Sequence, residues 1–143
     1  MSFVDFKYDA DLFVRGIEEF NIEEFYECHE TLEEYWQKLP PGMPDDLSHD
    51  FPVRQMVQGV IQIAVGFYHL KRNNVKGALK LFTRGNARLQ AFMPEEHLED
   101  IDLRQCVAAV GRNIDLLEQG AVFDDPALTV PRIDLPQPRL KTN

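Results

Sequence analysis

At 143 residues the chain has single-domain length, and a domain of that size buries about two-thirds of its unfolded surface, so folding requires neither disulfides nor a structural metal. Hydrophobic residues make up 44% and charged residues 27%, both ordinary for a globular protein, and the net charge of −9 speaks against nucleic acid or anionic lipid as partners, since both need a positive field. Two cysteines, Cys28 and Cys106, are too few for a disulfide framework or a four-thiolate zinc site; their apolar neighbours predict reduced, buried thiols in a cytoplasmic protein. The opening MSFVDFKYDADLF has no basic segment followed by an apolar run, so no signal peptide is expected.

The periodicity predicts an all-α bundle of five helices over residues 1–120 and an extended, Pro-rich tail over 121–143. The first helix spans about Asp9 to Phe20, with Phe13, Ile17 and Phe20 on one face. Asn21 with Glu24 three positions on reads as a capping box, starting a second helix that runs to about Lys38 before Pro40, Pro41 and Pro44. Residues 39–52 form a long acidic loop that includes Asp45, Asp46, His49 and Asp50, read as an ordinary polar loop in preference to a loose cation site. A third helix, about Val53 to Arg72, is apolar nearly all round and therefore central; Gln58, Gln62 and His69 interrupt its longest apolar stretch, so no transmembrane span is expected. Asn73 suits a left-handed C-terminal position and Asn74 an N-cap, which opens a fourth helix from about Val75 to Phe92. The fifth helix runs from about Leu103 to Gln119, with an apolar seam at Leu103, Val107, Val110, Ile114 and Leu117, and Gly120 stops it. Helices paired through short turns suggest a helical-repeat style of packing, yet no convincing internal repeat stands out in the residues themselves.

Two helical wheels point to a site. On the third helix Gln55, Gln58, Gln62 and His69 fall within about 40° of one line, beside Gly59 and Gly66, which admit a close neighbour. On the second helix His29 sits in the apolar face with Ile22, Phe25, Leu32 and Trp36; Glu33 turns inward one turn later and Tyr26 flanks them. Buried polar groups need partners, which predicts that His29 and Glu33 face Gln58, Gln62 and His69 across one helix–helix contact. Three uses compete for such a cluster. It can be a core network that fixes helix register, the first of the three. It can be a pocket for a small polar ligand lined by Gln55, Gln58, Gln62, Tyr26 and Trp36. It can be a divalent-metal site with His29, Glu33 and His69 as ligands and Glu30 as base, although neither the metalloprotease nor the ferritin-like spacing is present. A basic flank on the fourth helix, Arg72, Lys76, Lys80, Arg84 and Arg88, reads as a solvated surface, with an anion or acidic partner as the alternative.

Phe20-Asn21 followed by Phe25-Tyr26-Glu27-Cys28-His29-Glu30-Thr31-Leu32-Glu33-Glu34-Tyr35-Trp36 resembles the His-Glu-x-Leu-Glu-x-x-Trp hallmark of the Domain of Unknown Function 309 family. Gln58-Gly59-Val60-Ile61-Gln62-Ile63-Ala64 with Tyr68-His69 is similar to a second signature of that family, and Asn74-Val75-Lys76-Gly77-Ala78 followed by Leu81 and Leu89 to a third. The resemblance runs in order over residues 13–118, and leaves the tail outside. It implies a small all-α cytoplasmic prokaryotic protein without an assigned activity; the label of metal-dependent hydrolase attached to some members lends support to the metal reading. The leading expectation is a self-associating helical module that binds a small polar ligand or a partner, and the alternative a metal-dependent hydrolase.

Overall fold

The computed structural model describes residues 10–39, 52–91 and 101–134. Five helices follow one another: α1 (Ala10–Asn21), α2 (Phe25–Gln37), α3 (Pro52–Lys71), α4 (Val75–Gln90) and α5 (Arg104–Glu118). There is no strand among the described residues; one isolated antiparallel bridge joins Asp102 to Asp134. Each helix packs on the next in sequence, α1 on α2, α2 on α3, α3 on α4 and α4 on α5. The loop expected over residues 39–52, with its Asp45, Asp46, His49 and Asp50, falls largely outside the described residues, as does Phe92.

The core forms because each helix carries an apolar stripe at helical spacing. Phe13, Ile17 and Phe20 of α1, Phe25, Leu32 and Tyr35 of α2, and Met56, Val57, Val60, Ile63, Ala64 and Phe67 of α3 are all buried. Aromatic rings knit the three: Phe20 meets Phe25 edge-on at 5.4 Å, Phe25 stacks on Phe67 at 5.1 Å, and Phe67 meets Phe82 of α4 at 4.7 Å. Such pairs contribute about 0.5–1.5 kcal/mol each beyond their area. Cys28 and Cys106 are free, buried thiols, as their apolar surroundings predict.

α3 and α4 approach closely because glycine faces glycine. A Cβ on Gly85 would stand 2.8 Å from the carbonyl oxygen of Gly59, and one on Gly59 would stand 2.7 Å from a methyl of Leu89. On α5 the expected seam is met at Leu103, Val110 and Leu117, while Cys106, Ala109 and Asn113 complete the buried face and Val107 and Ile114 lie at its edge.

The two helical hairpins repeat each other. In the first turn Glu23 is left-handed (φ 66), and Glu24 N–H donates to Glu19 C=O at 2.9 Å; in the second Asn73 is left-handed (φ 60), and Asn74 N–H donates to His69 C=O at 2.8 Å. Glu23 N–H also reaches Phe20 C=O, as Asn73 N–H reaches Leu70 C=O, which completes the same Schellman closure twice. Counterparts stand 50 positions apart: Gly16 lies against Leu32 as Gly66 lies against Phe82. The duplication is one of backbone geometry and of where small residues fall, since most side chains at matched positions differ.

One expected cap is corrected. Asn21 does not open α2; it is the last residue of α1, and the cap position of α2 is Glu24, which makes no side-chain capping bond. The Asn21 carboxamide is engaged by the tail instead: its Nδ2 donates to Ile133 C=O at 2.9 Å and its Oδ1 accepts from Ile133 N–H at 2.8 Å. In the second hairpin the expected cap forms, Asn74 Oδ1 accepting from Gly77 N–H at 3.0 Å. Residues 121–134 run without helix and pack on the bundle, with Ile133 fully buried in its core.

Candidate functional site

The polar line of α3 is half-exposed, a position different from the interior expected for it. Gln55, Gln58, Gln62 and His69 all have intermediate burial, and so do Arg54, Val65 and Tyr68 beside them. They form a strip on α3 with α2 on one flank and α4 on the other.

The strip turns toward α4. Arg88 donates from Nε to Gln62 Oε1 at 3.1 Å and from Nη1 to Gln55 Oε1. The cause is the pair of glycines on the same face: Gly59 and Gly66 are the places where α3 can admit a neighbouring backbone, α4 occupies them, and the flanking glutamines go with it. Gln62, for which His29 and Glu33 of α2 were the expected neighbours, thus has Arg88 of α4 as a hydrogen-bond partner. Gln58 Oε1, between the two engaged glutamines, is buried and accepts no hydrogen bond among the described residues.

α2 contributes the other flank. His29, Glu33 and Trp36 are half-buried at the rim of its apolar face, while Tyr26 is 47% exposed and Glu30 is exposed. Ile22, expected on that apolar face, lies in the turn and is exposed. Trp36 donates from its indole to Arg54 C=O at 3.1 Å, and the Arg54 guanidinium lies 4.0 Å over its ring. The ring of His29 meets Tyr26 at 5.9 Å, Tyr26 meets Tyr68 at 5.6 Å, and Tyr68 meets His69 at 6.1 Å. Two tyrosines thus stand between the imidazoles. His69 Nδ1 is also hydrogen-bonded with Asn74 Nδ2 at 3.2 Å, the imidazole accepting in the tautomer that leaves Nδ1 unprotonated. The Glu30 carboxylate beside the Tyr26 hydroxyl raises the phenol above its ordinary range.

Among the described residues no three His, Cys, Asp or Glu side chains stand where they could hold one metal ion. His29, Glu33 and His69, the ligands of the metal reading, are not found as such a group among the described residues.

Arg88 is the member of the cluster that the helical wheels missed. Its place in a run of four-residue steps with Arg72, Lys76, Lys80 and Arg84 reads as surface; only the two glutamines set it apart. Lys76, Lys80 and Arg84 are exposed and make no ion pair among the described residues, while Arg72 lies over the Tyr68 ring. No described helix is long and apolar enough to cross a membrane.

A family model described as "Domain of unknown function (DUF309)" matches residues 13–81, which take in α1, α2, α3 and the start of α4. The match includes His29, Glu33 and the glutamine strip and stops before Arg88. "Uncharacterized protein YpuF" of Bacillus subtilis (strain 168) is 35% identical over 97 residues, which cover 66% of this chain and 45% of that relative. The aligned stretch thus spans less than half of the relative's length. Through residues 13–81, where both hairpin turns and the His-Glu motif lie, the chain is similar to the family described as Domain of unknown function (DUF309).

Proposed function

We propose that the protein is a non-catalytic binding module, and that its ligand surface is the half-exposed strip bounded by Trp36 and Tyr26 on α2, Gln55, Gln58 and Gln62 on α3, and Arg88 on α4. The observation that carries this reading is the seating of Arg88. Two neutral carboxamides hold its guanidinium, so its direction is set, and among the described residues no carboxylate pairs with it. A guanidinium paired with a carboxylate is a closed unit; one oriented by amides still attracts an anion, and its fork suits a carboxylate or phosphate group. The chain as a whole is acidic, which makes a retained cationic edge on α4 a selective feature and no consequence of bulk charge. The ligand class is accordingly a small polar molecule, or an exposed group on a partner, that bears a carboxylate or phosphate. The aromatic rim of Trp36, Tyr26 and Tyr68 offers apolar and π faces to the rest of it.

Titration with inorganic phosphate and with citrate, followed by the NMR signals of the Arg88 Nε–H and of the glutamine side-chain amides, tests this. Saturable shifts confined to Arg88, Gln55, Gln58 and Gln62, absent in Arg88→Ala, are expected. Shifts spread over all basic side chains that scale with ionic strength alone would refute it. Self-association, expected from the sequence, draws its support from a different surface, the seat of the C-terminal segment.

A further inference from the structure

The last described segment is held as a bound peptide would be. Asn113, fully buried on α5, donates from Nδ2 to Thr129 C=O at 2.7 Å and accepts at Oδ1 from Thr129 N–H at 2.9 Å. Asn21, on α1, grips Ile133 in the same way, with bonds of 2.9 and 2.8 Å. Each carboxamide satisfies both main-chain groups of one residue, and the two gripped residues are four positions apart. Between and beyond the grips the side chains divide: Pro131 and Ile133 are buried and Leu128 is half-buried, while Thr129, Val130, Arg132 and Asp134 face outward. The bridge from Asp134 to Asp102 closes the seat at its far end.

We propose that this seat is a docking groove for an extended segment of pattern apolar-x-x-Pro-x-apolar, which the chain fills with its own residues 128–133 and which the same residues of a second copy fill in trans. A groove that reads main-chain groups through two asparagines and side chains through Pro131 and Ile133 does not distinguish its own tail from an identical one. What favours the attached tail is effective concentration, on the order of mM for a short connection. The connection can be redirected. Gly120, at φ +100, ends α5, and the eight residues from Gly120 to Ala127 precede the first apolar anchor. Fully extended they would span about 26–29 Å, enough to reach a neighbouring copy. Exchange of an identical element between copies needs no new contact, because every bond made in cis is remade in trans.

Complementation between two full-length variants tests this directly. In one, Asn21→Ala with Asn113→Ala blunts the groove and leaves the tail intact; in the other, Ile133→Asp blunts the tail and leaves the groove intact. Each alone is expected to sediment as a monomer, and an equimolar mixture as a heterodimer, since the free tail of the first meets the empty groove of the second. A mixture that stays monomeric while both variants keep their helical circular dichroism overturns the proposal. Should either variant lose its helical signal, hydrogen exchange in the unsubstituted chain decides. The amides of Thr129 and Ile133 are expected to exchange at least tenfold faster than those of Val60 and Ile63 in α3, and to slow as protein concentration rises. Equal protection in both places overturns the proposal, because an arm that leaves only on global unfolding cannot be exchanged.

Discussion

Glu23 is the residue at which local backbone conformation and side-chain identity disagree most. Its φ of 66 is the left-handed region that Asn73 occupies in the matching turn and Gly120 at the end of α5. An L-residue with a side chain loses about 1–2 kcal/mol there, against which glycine forfeits about 0.5–1 kcal/mol through its freer unfolded chain. Glu23 also pairs with Lys71 at 3.2 Å, but both side chains are about half-exposed, so the pair contributes at most about 1 kcal/mol. Glu23→Gly is therefore expected to stabilise the protein by up to about 1 kcal/mol in urea denaturation; a loss of stability would show that the ion pair outweighs the backbone term. Asn113 has the opposite character. Asn113→Ala removes two good hydrogen bonds from a fully buried site and is expected to cost about 1–3 kcal/mol. The asparagines also show where residue-level reading works. Asn73 and Asn74 are legible because their partners are local, Gly77 three positions on and the closing carbonyls of the preceding turn. Asn21 has the same local look, with Glu24 in register for a capping box, yet its partner is 112 positions downstream. Nothing within one helix of it signals that.

Apart from the start of α2, whose cap lies three residues beyond the expected Asn21, the helices were legible in the chain to within a residue or two, because a 3.6-residue apolar period is a property of each segment alone. Their facing was less so. The wheel of α3 puts Gln55, Gln62, Gly59 and Gly66 on one side, as the structure has them, but a wheel carries no information about which neighbour occupies that side. Steric reasoning on the glycines supplies it, since the helix that comes closest is the one that itself has a glycine to offer, and Gly85 of α4 is that residue. Substitution can weigh this contact. At Gly85 a Cβ would stand 2.8 Å from the Gly59 carbonyl oxygen and 3.1 Å from the Ile63 amide nitrogen, both backbone atoms that no rotamer change can move. Gly85→Ala is expected to cost about 1–3 kcal/mol and to prise α4 from α3. At Gly111 on α5 the nearest atom would be 3.8 Å away, so Gly111→Ala is expected to gain about 0.5–1 kcal/mol from helix propensity. If the two variants melt alike, the glycine contact does not set the spacing of α3 and α4. Should Gly85→Ala fold, the grip of Gln55 and Gln62 on Arg88 is the functional feature it should loosen, visible as loss of the slowed exchange of the Arg88 Nε–H.

At the scale of the whole molecule the two thiols report on how the parts cohere. Cys28 lies on α2 and Cys106 on α5, three helices apart in the sequential packing order, and both are buried in the same core cluster. Burial holds Cys106 in its neutral form and pushes its pKa up to about 12; Cys28 is raised further, by burial first and by the charge of Glu19 second. In the unfolded chain both return to an ordinary thiol value near 9. The native state therefore binds these two protons more tightly than the unfolded state does. Their contribution is fully present below about pH 9 and is lost as pH rises from there toward the folded values. The expected slope is up to about 1.4 kcal/mol per pH unit for each thiol once the unfolded form has ionised. Tyrosines and lysines titrate in the same range, so the informative quantity is the difference between the unsubstituted chain and Cys28→Ala/Cys106→Ala. Urea denaturation between about pH 8 and pH 10.5 should give two curves a constant distance apart below pH 9 that converge above it. The same burial predicts that an aromatic disulfide reagent at neutral pH modifies both thiols at one rate, that of the opening which exposes them. Two distinct rates would mean that α5 with residues 121–134 opens separately from the hairpins, and curves that stay parallel to pH 10.5 would mean that the thiols ionise in place.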